Sequence, residues 1–214
     1  MLRMLRLLGP FSLAMSGAVL SAQIQTQCET QGGATVNDLP VSASATFTPG
    51  TGTIIVVLSN GLADPRSAGQ LLSGLAFTVS EGETTGTLGP NSAEIITVAR
   101  GGASVDIGPG TTGWALEQNF NGGFFLCVLC TDLGAVGPHQ LLIGPPTGDG
   151  NYDSANASIA GNRPHNPFTS GPAMFMINAP NVTPNSTIIG AAFFFGTTQG
   201  VSVAGTCSGA GAPM

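Results

Sequence analysis

Residues 41–59 read VSASATFTPGTGTIIVVLS. Val41, Ala43, Ala45 and Phe47 alternate with Ser42, Ser44, Thr46 and Thr48, the period of two that marks a strand with one buried face. Pro49-Gly50-Thr51-Gly52 then supplies a turn, because proline pre-sets φ and glycine tolerates positive φ. Thr53 to Ser59 is β-branched and nearly continuous in apolar residues, which predicts a strand covered on both faces. Two strands around a short turn predict a hairpin.

Outward from this hairpin the same grammar repeats. Strands are expected at Leu75–Ser80, Glu94–Arg100, Ala103–Ile107, Gly123–Val128, Gln140–Ile143, Ala173–Asn178, Ile188–Gly196 and Val201–Ala204. Residues 81–92 (EGETTGTLGPNS) and the stretch from Gly144 to Pro172 read as turn-rich connections, and Ser67–Leu72 as the one helical turn. Phe77, Phe175, Phe193 and Phe195 fall at inward parity in their strands. Many short strands with almost no helix predict an all-β fold, a two-layer antiparallel β-sandwich of jelly-roll-like or Greek-key form.

Residues 1–22 read as a signal peptide: Arg3 and Arg6 precede an apolar stretch from Leu7 to Leu20, with small residues near Ser21 and Ala22 for cleavage. Pro10 interrupts that stretch, and a spanning helix wants about 20 apolar residues. The expected organisation is therefore a signal over 1–22 and one β-sandwich domain over 23–214, exported to the periplasm or cell surface. In the remainder, Ile188–Phe195 is the longest apolar run, a strand length, so no membrane span is expected there.

Charge narrows the partners. Charged residues make up 7% of the 214 residues, against about 25% in an ordinary globular domain. There is no lysine, and after residue 22 only Arg66, Arg100 and Arg163 stand against 11 carboxylates. No basic cluster is available to neutralise phosphates, which excludes a nucleic-acid surface and disfavours anionic lipid. The absence of lysine removes Schiff-base chemistry. A weakly charged exterior also lacks the edge charges that block strand-to-strand association, so self-association is expected.

Four cysteines in an exported chain default to disulfides. Three connectivities exist; Cys28–Cys207 joining the ends and Cys127–Cys130 closing a local loop is the preferred one, with a turn through Val128-Leu129. Cys127-Val128-Leu129-Cys130 also has redox and zinc spacing. A redox pair, however, wants a helix N-terminus, and zinc wants a second ligand pair or a nearby histidine.

Other residues that carry chemistry are sparse. Asp149, Asn151 and Asp153 open like a calcium loop, but Ser154 and Ala160 stand where the loop needs Gly and Glu, so a polar turn competes with Ca2+ binding. Arg163 and His165 lie in a proline-fixed loop, Gly161–Phe168, that could hold binding groups rigidly. Trp114 and Tyr152 are the aromatic rings other than Phe that a sugar could stack on. Glu81 and Glu83 read as an exposed turn. No GxSxG elbow and no phosphate loop is present, and no catalytic residue is expected.

Residues 45–80 (ATFTPGTGTIIVVLSNGLADPRSAGQLLSGLAFTVS), 141–184 (LLIGPPTGDGNYDSANASIAGNRPHNPFTSGPAMFMINAPNVTP) and 186–198 (STIIGAAFFFGTT) together resemble a group of exported β-rich bacterial surface proteins of acidobacterial type, related to PEP-CTERM, exosortase-sorted proteins. The resemblance implies a surface or matrix protein without established activity. Residues 199–214 contain no Pro-Glu-Pro, apolar anchor or basic end, so release or non-covalent retention is expected. The leading expectation is a secreted, non-catalytic structural or surface-interaction protein. A glycan- or calcium-binding module and a carbohydrate-active enzyme are the alternatives.

Overall fold

The computed structural model describes residues 24–130 and 139–209. The expected signal segment lies outside the described residues. Fourteen strands follow in chain order: β1 (Thr26–Thr30), β2 (Thr35–Val36), β3 (Leu39–Pro40), β4 (Ala43–Gly50), β5 (Thr53–Asn60), β6 (Leu72–Val79), β7 (Thr87–Val98), β8 (Ser104–Gly110), β9 (Ala115–Phe120), β10 (Gly123–Cys127), β11 (Leu142–Ile143), β12 (Phe168–Asn178), β13 (Ile188–Phe195) and β14 (Ser202–Gly209). The expected helical turn is a 3-10 turn, Ala68–Gln70. Gln70 holds it: its Oε1 accepts from Arg66 N at 2.7 Å and Ser67 N at 3.1 Å, while its Nε2 donates to Pro40 O at 2.9 Å.

The β4–β5 hairpin forms with Gly50 opposite Thr53 and Phe47 opposite Val56. Ala43, Ala45 and Phe47 point inward, as their alternation predicts. β5 departs from expectation. Ile54, Val56 and Leu58 are buried, but Val57 is 36% exposed and Ile55 only half-buried. Its outward β-branched residues satisfy the pleated backbone without being covered.

The sandwich expectation is overturned. Hydrogen bonding runs β12-β5-β4-β1-β14-β13-β6. β11 then links the two ends, with Leu142 opposite Leu72 of β6 and also opposite Thr169 of β12. The sheet thereby closes into a barrel of 8 strands. β7 and β8 continue from β12, and β10 and β9 from β6, as two wings on the ring. Period-two alternation reports that a strand has one buried face. It is the same whether that face meets a second sheet or the far wall of its own.

Burial inside the ring is continuous from Cys28 to Phe195. Phe47 and Phe77 pack with centroids 5.0 Å apart, Phe77 and Phe124 at 5.4 Å, and Trp114 lies 5.4 Å from Phe175. Phe77, Phe175, Phe193 and Phe195 are all buried, as their parity predicts. A smaller cluster of Phe120, Phe125 and Phe194 surrounds Cys127 and Cys130. Gly74 permits it, because a Cβ there would stand 2.5 Å from the Phe125 ring.

Candidate functional site

Both disulfides have the expected pairing. Cys28 and Cys207 are directly opposite each other on β1 and β14, and Cys127–Cys130 spans the bend at Val128-Leu129. Disulfides form and persist in an oxidising compartment outside the cytoplasm. Glu117, Cys127 and Cys130 are the one trio of potential metal ligands within 4.8 Å of one another among the described residues. Both sulfurs are bonded to each other, so neither is a thiolate donor. Thiol exchange needs access, and these cysteines are buried under Phe120, Phe125 and Phe194.

Trp114 and Tyr152 are 4% and 1% exposed. The indole Nε1 donates to Gln140 O at 3.0 Å, and the Tyr152 hydroxyl donates to Gly144 O at 2.9 Å. Burial, with Asp64 nearby, pushes the Tyr152 phenol above its ordinary value. Neither ring offers a free face to a sugar. Asp149 is exposed but internally occupied: it accepts from the Thr147 hydroxyl, from Asn151 N at 3.2 Å and from Asn151 Nδ2 at 3.1 Å. These bonds, the Thr147 hydroxyl foremost, hold its carboxyl below the usual range. The result is an Asx-type turn in which Asn151 donates its amide to Asp149. Asp153 is exposed and shares no ligand group with Asp149.

The connection between β11 and β12 is tied to the barrel by its own side chains. Asn156 N donates to Arg66 O at 2.8 Å. Asn166 Oδ1 accepts from Val98 N at 2.8 Å, and its Nδ2 donates to Asn162 O at 2.9 Å and Ile159 O at 3.3 Å. His165 spends Nδ1 on Ser158 O. Gly161 makes the closest approach: its N donates to Val98 O at 2.9 Å, its φ is +67°, and a Cβ would lie 3.1 Å from Arg100 Cα. Glycine alone takes that backbone conformation without strain.

That approach sets Arg163 beside Arg100. Both line a concavity of about 560 Å3 whose remaining wall includes Ala157, Ala160, Asn162 and Pro164. Arg163 is among the residues singled out in the sequence; His165 lies next to the cavity but is committed to backbone. Arg100 was not singled out, because it stands at the end of an expected strand. Its only signal was scarcity, one of three arginines after residue 22.

No protein-family model matches the chain, no curated protein matches it in sequence, and no solved structure matches it in fold.

Proposed function

We propose that this chain is an exported, non-catalytic β-barrel with a structural or surface-interaction role outside the cell. One observation carries the reading: the ring encloses a solid apolar core and is stapled across adjacent strands by Cys28–Cys207. Such a body is suited to persistence, since the staple closes a separation of 179 residues and limits the freedom of the unfolded chain. The exterior of β4 favours water over lipid. β4 turns Ser44, Thr46 and Thr48 outward and its apolar residues inward, the reverse of an outer-membrane barrel with an apolar outer band and polar lumen.

Glycoside hydrolysis needs two carboxylates about 5–9.5 Å apart across a cleft. The concavities lined by Ala76 and Asn121, by Gln31 and Thr206, by Met174 and Met176, and by Arg100 and Arg163 carry no carboxylate.

Fractionation tests it. The tagged chain is expected outside the cytoplasm, oxidised at all four cysteines, accessible to protease on intact cells, and unable to release reducing ends from polysaccharides. Recovery in the cytoplasm with free thiols, or sustained sugar release by purified protein, would overturn the proposal.

A further inference from the structure

The concavity beside Gly161 concentrates what the rest of the chain lacks. Arg100 and Arg163, two of the three arginines after residue 22, line it together. Two like charges held on one wall repel each other, and no carboxylate of the described residues lines the concavity beside them.

Asn162, on the same wall, gives its Nδ2 to Ala157 O at 3.1 Å, while its Oδ1 is a buried acceptor with no donor. Ala157, Ala160 and Pro164 add small apolar surface between the polar groups. The cavity therefore brings two arginines to one wall beside small apolar side chains, with room well beyond a single small ion.

We infer that this cavity binds the uronate units of an acidic polysaccharide, the sugar carboxylate lying against Arg100 and Arg163. Guanidinium suits a carboxylate because its parallel N–H donors match the two oxygens. Pockets of 300–1,000 Å3 with few polar groups on an apolar wall are typical of small-ligand sites. The chain's overall negative charge does not forbid this, since exposed charges are screened beyond about 8 Å at physiological salt. The inference takes the ligand's location from the surface-interaction reading, but the site stands on its own geometry.

The test is calorimetric titration of the oxidised protein with tetragalacturonate, cellotetraose and inorganic phosphate. Tetragalacturonate is expected to bind saturably and cellotetraose not to bind. Arg100→Ala and Arg163→Ala are each expected to weaken affinity about tenfold, the order of one charged hydrogen bond. Arg100→Glu with Arg163→Glu is expected to abolish binding, and Arg66→Ala to leave it unchanged. Both cavity arginines are exposed, and near-ultraviolet circular dichroism verifies each fold. Should a charge reversal misfold, Arg163→Gln carries the same test.

Absence of tetragalacturonate binding overturns the inference, as does binding that survives the double reversal. Phosphate binding as tightly as the tetrasaccharide and displacing it would reduce the cavity to a simple anion site and sink the uronate assignment. Equal binding of cellotetraose would remove the arginines' role. An exported, non-catalytic protein that binds none of these probes would leave the proposed function standing and this inference refuted.

Discussion

Glu83 is 5% exposed, and every bond it makes is to a donor. Its Oε1 accepts from Thr84 N at 3.0 Å, Thr85 N at 2.9 Å and the Thr85 hydroxyl at 2.7 Å; its Oε2 accepts from Asn181 N at 2.9 Å. The Thr85 hydroxyl foremost, then these backbone amides, pull its carboxyl down to about 2 against the opposing effect of burial. Because the folded value lies below the ordinary 4.5, the stabilisation is fully present above about pH 4.5 and is lost as pH falls through about 2. Thermal midpoints are therefore expected to be flat near neutrality and to fall below pH 4.5. Glu83→Gln should cost about 1–3 kcal/mol at pH 7 and make the acid fall shallower. Glu81, held low mainly by the Ser80 hydroxyl, and Asp149 keep part of the slope. An unchanged acid profile in Glu83→Gln would remove Glu83 as its source. Little of this was legible in EGETTGTLGPNS, which reads as an exposed turn. What encloses Glu83 is Asn181, 98 residues away, and local pattern carries no trace of so distant a donor.

Strands with clean alternation were readable because burial on one face is written at every second residue. β4 obeys it throughout, with Ala43, Ala45 and Phe47 inside. β1, β9 and the first half of β7 were missed, for separate reasons. β1 and β9 are rich in Thr, Gln, Glu and Asn, so their inward positions are not all apolar. β7 opens with Gly89-Pro90, ordinarily a breaker, which the strand accommodates where its register against β12 shifts. β11 lies within the strand expected at Gln140–Ile143, but nothing local shows that it completes the ring. Leu142 is fully buried there, so Leu142→Ala is expected to cost about 2–5 kcal/mol, measured by denaturant unfolding. Ile189→Ala, at a position 67% exposed, should cost no more than about 0.5 kcal/mol. Equal costs would mean that β11 does not close the sheet. The disulfides differ in the same graded way, by the length of chain they close. Replacing Cys28 and Cys207 with serine should remove about 5 kcal/mol, and replacing Cys127 and Cys130 about 2 kcal/mol, on the chain-entropy account. The opposite ranking would place the stapling effect in the native packing around Phe125.

Twelve of the described strands share one sheet, with β2 and β3 paired apart from it, and the main apolar core binds the wings to the ring. Phe124 of β10 packs against Phe77 of β6 with the rings tilted, and Asn119 N donates to Thr84 O at 3.0 Å, drawing β9 towards the connection ahead of β7. The main apolar cluster takes in Val98 of β7, Leu116 of β9 and Phe124 of β10 together with the ring, so unfolding is expected to be one calorimetric transition. Local opening is a separate matter, because it follows the number of hydrogen-bonded neighbours a strand must leave. Among the described residues β8 pairs only with β7, and β9 only with β10. β4 and β14, by contrast, each lie between two partners in the ring. Native-state hydrogen exchange should therefore release the β8 amides first, helped by Pro109, which has no N–H to pair, and by the exposure of Val105 and Ile107 at 54% and 60%. The amides of β1, β4, β5 and β14 should exchange last, by global unfolding, and reduction of Cys28–Cys207 should lower their protection more than that of β8. Two resolved transitions, or slow exchange on β8 with fast exchange on β4, would show that the wings and the ring fold as separate units. The core would then be divided at the Phe77–Phe124 contact.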